Sequence, residues 1–211
     1  MTNYYPAFIN LCGKQCVVVG GGKVAERKVL TLLDSGAAVK VISPALTDVL
    51  EKQKDKGRIR HIRRNYRSGD LKGAFLVIAA TSDERINRKV SDDAPCLVNV
   101  VDKPEMANFI VPSVVNRGPM TIAVSTSGAS PAIARAVRKE LELLYNKDFG
   151  QFLDFLKKLR KRAIKEITDK KARERFLKDV ASKEVLSILR GKGFKEAKEK
   201  VINKIQGSIK L

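Results

Sequence analysis

The sequence predicts an α/β fold: a mainly parallel sheet covered by helices on both faces, followed by a linking segment and a small basic helical domain. Three observations carry this expectation. Short apolar runs alternate with amphipathic stretches through the first half of the chain, as they do when strands are buried on both faces and joined by covering helices. One of those runs passes through a glycine cluster directly into a helical pattern. After Ser125 no strand pattern recurs, and residues 147–211 hold 20 Lys or Arg against 9 Asp or Glu.

The strands are expected at Gln15 to Val19, Ala38 to Ile42, Arg58 to Ile62, Phe75 to Ala79, Leu97 to Val101 and Met120 to Ser125. Apolar residues at helical spacing mark Val24 to Asp34, Leu46 to Lys54 and Glu84 to Ser91, and Gly36 stands where the first of these helices should stop. Ser130-Pro131 opens a further helix through Tyr145, with proline at the first helical position, where its missing N–H costs nothing. In the tail, Phe149, Phe152, Phe155, Leu156, Leu159, Ile164 and Ile167 form an interrupted apolar stripe. No internal repeat or low-complexity linker is present, so the sheet domain and the tail join through residues 113–147.

A chain of 211 residues can bury a core without metal or disulfide support. Its 44% hydrophobic and 31% charged residues are ordinary, whereas a formal net charge of +19 is not. Such a field draws anions: nucleic acid, an anionic membrane surface, or a polycarboxylate or phosphate ligand. The start of the sequence lacks a secretory pattern, and no stretch approaches the roughly 20 apolar residues of a membrane span; the expectation is a cytoplasmic protein with no membrane partner. Cys12, Cys16 and Cys96 match neither a zinc nor a disulfide pattern and read as free thiols. His61 is the only histidine and reads as a bystander between arginines, so no metal site is expected.

The sharpest motif is Val19-Gly20-Gly21-Gly22-Lys23-Val24-Ala25, a buried strand entering Gly-x-Gly-x-x-Ala and then a helix. That context is the dinucleotide-binding, Rossmann-type unit. Gly20 permits the turn, Gly22 lets a pyrophosphate approach the backbone, Ala25 lets helix and strand pack closely, and the helix N-terminus supplies N–H groups and partial positive charge. The Walker spacing is absent, so ATP hydrolysis is not suggested. Strand two ends at Ser43-Pro44-Ala45 with no acid to hold the ribose hydroxyls. Ser43 or the backbone at Pro44 and Ala45 must take that part, and the residues alone leave NAD and NADP open.

Ligands of open α/β sheets sit at the carboxyl ends of strands. Ala79-Ala80-Thr81 closes strand four with small residues, and Leu97 to Asp102 delivers Asn99 and Asp102 to the same end. A carboxylate there could take a proton while a hydride leaves to the cofactor; it could equally be a loop or capping aspartate. The hydroxyl-rich segments around Ser113 and Ser125-Thr126-Ser127 are expected on that side, with helix capping as the plain alternative.

Five blocks together resemble one family: Val-Gly-Gly-Gly-Lys-Val-Ala-Glu-Arg-Lys at 19–28, Ala-Ala-Thr-Ser-Asp at 79–83, Asn-Val-Val-Asp at 99–102, Phe-Ile-Val-Pro-Ser at 109–113 and Ser-Thr-Ser-Gly-Ala-Ser-Pro at 125–131. In order and spacing they resemble the precorrin-2 dehydrogenases, relatives of the N-terminal module of siroheme synthase. The resemblance covers about residues 4–145. It implies NAD-dependent oxidation of precorrin-2 to sirohydrochlorin in siroheme biosynthesis, by a homodimer in which residues 113–147 form the dimerisation segment between a nucleotide-binding domain (1–112) and a helical domain (148–211). It implies NAD contacts at Lys23, Val24, Pro44 and Ala45, and Asp102 as the catalytic aspartate. Some relatives also insert iron using that aspartate, and others only dehydrogenate. The sequence departs at Thr126, where siroheme synthases can carry a phosphorylated serine.

Charge fits this implication. Precorrin-2 carries eight carboxylates, for which Arg117, Arg135 and Arg138 are candidate clamps, with Asn99, Ser113 and Thr126 as further candidate contacts. Most Lys and Arg beyond 147 should form a solvated face. Two other readings compete: an NAD-sensing regulatory module that performs no chemistry, and a nucleic-acid binder, which lacks aromatics interleaved in the basic tail and any RNA-binding signature.

Overall fold

The computed structural model describes residues 4–205. Its backbone divides into two compact units, one through Val111 and the other from Pro112. The first contains β1 (Gln15–Val19), α1 (Lys23–Asp34), β2 (Ala38–Ile42), α2 (Asp48–Asp55), β3 (Ile59–Ile62), β4 (Leu76–Ala79), α3 (Glu84–Asp93) and β5 (Leu97–Val100). All five strands pair in parallel, in the order β3-β2-β1-β4-β5. From β1 the chain builds outward to β3, then returns across the sheet and continues from β4 in the opposite direction. The reversal leaves a crevice at the carboxyl ends of β1 and β4, the switch point at which such sheets bind ligands.

Strand alternation sorts the core into two layers. Cys16 and Val18 join Ala25, Val29 and Leu32 of α1 and Leu50 of α2 on one face. Val17 and Val19 face the other way, with Tyr66, Leu71 and Val90. The return from β3 to β4 contains no helix. Residues 63–75 are pinned by polar contacts instead: Arg64 donates to both oxygens of Asp70 at 2.7 Å, Lys40 donates to the Asp70 carbonyl, and the Tyr66 and Ser68 hydroxyls donate to Asp93 at 2.8 and 2.9 Å. Of the three cysteines, all free, Cys16 is buried, Cys96 half-buried and Cys12 exposed.

One expected strand lies elsewhere. Residues Met120–Val124 (β7) do not extend the parallel sheet; they pair antiparallel with β6 (Ser113–Arg117), a segment the sequence suggested was loop. Gly118 and Pro119 form the two-residue turn, and the φ of +56° at Gly118 followed by proline's fixed negative φ suits a tight hairpin. Long side chains would not fit there, because a Cβ on Gly118 would lie 3.2 Å from the Gly150 carbonyl.

The hairpin leads to α4 (Pro131–Leu144), α5 (Lys147–Glu166), α6 (Lys170–Val180), α7 (Lys183–Lys192) and α8 (Phe194–Ile205). Ser130 caps α4, accepting from the Ile133 N–H, and Asn146 and Asp169 do the same for α5 and α6. Phe149, Phe152, Leu159 and Ala163 of α5 build the second core with Val180, Val185, Leu189, Ala197, Val201 and Ile205. Ile164, expected in that stripe, is exposed because the 3.6-residue period carries the buried line through Ala163. Lys157, Lys158, Arg160, Lys161 and Lys165 all face solvent. Among the described residues no helix is long and apolar enough to cross a membrane.

Candidate active site

The buried strand β1 drives the chain into the crevice, and three glycines there do three different things. Gly20 has φ +122° and donates its N–H to the Ile42 carbonyl at 2.9 Å; a Cβ would lie 2.3 Å from the Ala80 carbonyl oxygen. At Gly21 a Cβ would lie 2.0 Å from the Ala45 carbonyl and 2.6 Å from Ser43 Oγ, so β1 and the β2–α2 turn touch backbone to backbone. At Gly22 it would meet nothing within 4 Å. Gly22 is the N-cap of α1 with no side-chain cap, so the first N–H groups of the helix open onto unfilled space. This combination of two clamped glycines and one open cradle at a helix N-terminus fits a dinucleotide pyrophosphate. Lys23 is exposed and pairs with Glu26 at 3.2 Å, while Val24 is half-buried. The Thr47 hydroxyl first, and then Lys23, hold the Glu26 carboxyl below its ordinary range.

At the end of β2, Ser43 is buried and its hydroxyl donates to the Ala45 carbonyl at 2.8 Å. The side chain therefore shapes the turn rather than reaching outward, whereas Pro44 and Ala45 are exposed. His61 Nε2 lies 2.9 Å from the Ser43 carbonyl and 3.3 Å from the Ser43 hydroxyl, a structural contact that ties β3 to this turn.

After β4 the Ala80 N–H continues the ladder to the Val19 carbonyl, and Thr81 turns inward. Asn87 of α3, buried, accepts from the Thr81 N–H and hydroxyl and donates to its carbonyl. Asn99, also buried, donates to the Phe109 carbonyl at 3.0 Å. Its amide organises the β5 loop, which limits it as a substrate contact. Asn108 accepts from the Val98 N–H and donates to the Cys96 carbonyl, pairing with the open edge of β5 as a neighbouring strand would. Between these anchors Asp102 is exposed with φ +59°, a left-handed conformation rare outside glycine but within reach of aspartate.

The remaining candidates belong to the second unit. Arg117 donates Nε to the Tyr145 carbonyl at 2.6 Å, Nη2 to the Glu142 carbonyl at 3.2 Å and Nη1 to the Asn116 carbonyl at 2.8 Å. The guanidinium thereby satisfies carbonyls at the end of α4, which have no partner within the helix. Arg138 is paired with Glu142. Arg135 is exposed on α4, and Ser113 begins β6. Thr126 accepts the Ser130 N–H at 3.1 Å, closing the tight loop before α4 in which Ser127 has φ +51°.

Residues 7–113 match an NAD(P)-binding family. The chain belongs to that family. Residues 117–143, in the second unit, match the central region of sirohaem biosynthesis proteins. The NAD(P)-binding chain is 43% identical over 180 residues to a siroheme synthase of Nitrosococcus oceani, covering 84% of this chain and 38% of that protein. It is 35% identical over 209 residues to a siroheme synthase of Photobacterium profundum, covering 98% of this chain and 45% of that protein. It thus spans less than half the length of these relatives. The solved structure of SirC, a precorrin-2 dehydrogenase, superimposes with a TM-score of 0.80 at 26% identity, over 95% of this chain and 100% of that one. The resemblance carried by the five sequence blocks holds.

Asn87, Asn108 and His61 are the site-building residues that the sequence did not single out. Only Asn108 had a visible signal, as the residue immediately before the block at 109–113. The other two act by folding back on backbone groups 6 and 18 residues away, and no spacing rule reveals that.

Proposed function

We propose that this NAD(P)-binding chain is a precorrin-2 dehydrogenase that uses NAD and forms sirohydrochlorin, with Asp102 as the proton acceptor. The observation that carries the reading is the left-handed, exposed aspartate at the carboxyl end of β5, at the same end of the sheet as the open glycine cradle. A backbone conformation that costs free energy on a non-glycine residue persists where the surrounding loop enforces it, and such positions cluster at functional sites. Support for the substrate comes from the siroheme synthase relatives and from the full-length likeness to SirC.

A dinucleotide held by its pyrophosphate at the cradle would supply the hydride acceptor. The protein must hold the dinucleotide, orient the macrocycle and remove one proton. Gly20, Gly21, Gly22, Lys23 and Val24 form the pyrophosphate cradle, Pro44 and Ala45 border the adenosine ribose, and Thr81 bounds the cofactor on its β4 side. The absence of an acid at the end of β2 means that the ribose is held by backbone. Asp102 takes the proton as the C–H bond breaks, so that hydride plus proton account for the two hydrogens lost. Exposed Arg135, with Ser113 and Thr126, supplies polar contacts for the substrate's carboxylate rim in this reading.

The active form is a homodimer joined through residues 113–147. Ile133 is 58% and Leu143 82% exposed on α4, apolar area that a second copy would cover. Substituting Asp102→Asn tests the enzymatic reading: turnover should fall by at least about 100-fold, the range of general acid–base contributions, with NADH binding intact. An NAD sensor would be indifferent to the change. Adding Fe²⁺ to the product and comparing insertion with a protein-free control decides separately whether the chain also chelates.

A further inference from the structure

Where a dinucleotide-binding sheet usually offers an acid at the end of its second strand, this chain has Ser43-Pro44-Ala45, and these residues belong to no helix or strand. Their peptide groups are nevertheless held. His61 of β3 is half-buried, and its Nε2 lies 2.9 Å from the Ser43 carbonyl. A carbonyl only accepts, so this nitrogen carries the proton and donates. The same nitrogen lies 3.3 Å from Ser43 Oγ, whose own proton goes to the Ala45 carbonyl at 2.8 Å. The Ala45 carbonyl also lies against Gly21, with no room for a Cβ between them. The peptides after Ser43 and after Ala45 are thereby fixed on either side of Pro44, whose ring fixes its own φ. One peptide is left between them: among the described residues the Pro44 carbonyl and the Ala45 N–H have no hydrogen-bond partner, and both residues are exposed.

We infer that His61 is a positioning residue for the cofactor: by fixing Ser43 it presents the Pro44–Ala45 peptide, one acceptor and one donor, to the adjacent hydroxyls of the adenosine ribose. One hydroxyl donates to the Pro44 carbonyl and the other accepts from the Ala45 N–H. A carboxylate in the usual arrangement can be re-aimed by rotating its side chain. A planar peptide group has no such freedom, so its aim depends on what grips the chain on either side. Ser43 and Ala45 grip each other within the turn, and His61 anchors that pair to the sheet. The inference rests on the reading that Pro44 and Ala45 border the adenosine ribose, and the experiment separates the two claims.

A variant of the protein is paired with a variant of the ligand. Binding of NAD and of its analogue lacking the adenosine 2′-hydroxyl is measured by calorimetry on wild type, His61→Ala, His61→Gln and Ser43→Ala, at a temperature at which thermal unfolding shows each to be folded. Wild type should prefer NAD by about tenfold, the contribution of one hydrogen bond. In His61→Ala that preference should shrink to about twofold or less, and His61→Gln, whose amide nitrogen can donate to the same carbonyl, should restore it. Ser43→Ala, which releases the Ala45 carbonyl, should lose it as His61→Ala does. In precorrin-2 turnover His61→Ala should raise the KM for NAD about fivefold and leave kcat at saturating NAD within about twofold, as expected for lost ground-state binding. A preference retained in full by His61→Ala overturns the inference, as does a His61→Gln variant that restores nothing, or a fall in kcat with the KM for NAD unchanged. Should His61→Ala fail to fold, the preference of Ser43→Ala decides alone. Equal affinity of the wild type for NAD and the analogue would instead take the ribose away from Pro44 and Ala45, and with it the reading on which the inference stands.

Discussion

At Gly21 and Gly22 the same substitution meets opposite surroundings. Alanine at Gly21 collides with the Ala45 carbonyl and Ser43 Oγ, so it must spread β1 from the β2–α2 turn. Alanine at Gly22 collides with nothing in the protein and costs the fold only the loss of a good N-cap, about 1 kcal/mol. Thermal unfolding of Gly22→Ala should therefore stay near wild type while NADH affinity falls at least tenfold; Gly21→Ala should lose both. The glycine pattern identified this loop from sequence because each position needs a residue without Cβ. It could not say which glycine faces protein and which faces the ligand, since that depends on Ser43 and Ala45, more than twenty residues away. By position the aspartate was legible as a polar residue at a strand end, its catalytic part was implied only by the family resemblance, and its left-handed backbone appears only in three dimensions.

Among the elements, α4 and the β3–β4 return carry the sharpest consequences. Arg117 satisfies carbonyls at the end of α4, so Arg117→Met should destabilise the second unit by about 1–3 kcal/mol, the cost of losing charge-assisted hydrogen bonds to part-buried carbonyls. The KM for precorrin-2 should not move, whereas a substrate clamp would raise it; steady-state kinetics beside denaturant unfolding separates the two. In the return segment, the Arg64 guanidinium is the main influence holding the Asp70 carboxyl below the ordinary aspartate range. A depressed carboxyl stabilises the fold above its unfolded pKa, about 3.9, and that contribution disappears as pH falls through the lower folded value. Unfolding measured from pH 6 downward should show acid destabilisation below about pH 4 that is weaker in Asp70→Asn. The sequence revealed the five parallel strands because burial on both faces leaves continuous apolar runs. It missed β6, whose Ser113 and Asn116 break such a run, and it misassigned β7, because alternation in one strand does not name the partner.

For the whole molecule the net charge of +19 and the exposed apolar residues of α4 point to an acidic ligand and a second copy of the chain. Leu143→Lys, placing charge on a side chain that is 82% exposed, should leave folding intact and shift the particle from dimer to monomer by light scattering; an unchanged mass would move the interface elsewhere. The most direct test of the central claim is an anaerobic reaction of the wild-type protein with precorrin-2 and NAD, following NADH absorbance and the sirohydrochlorin spectrum together. The dehydrogenase reading predicts both signals rising with one NADH per sirohydrochlorin. Intact NADH binding with neither product above a protein-free control would contradict it and leave a chain that binds the dinucleotide without using it.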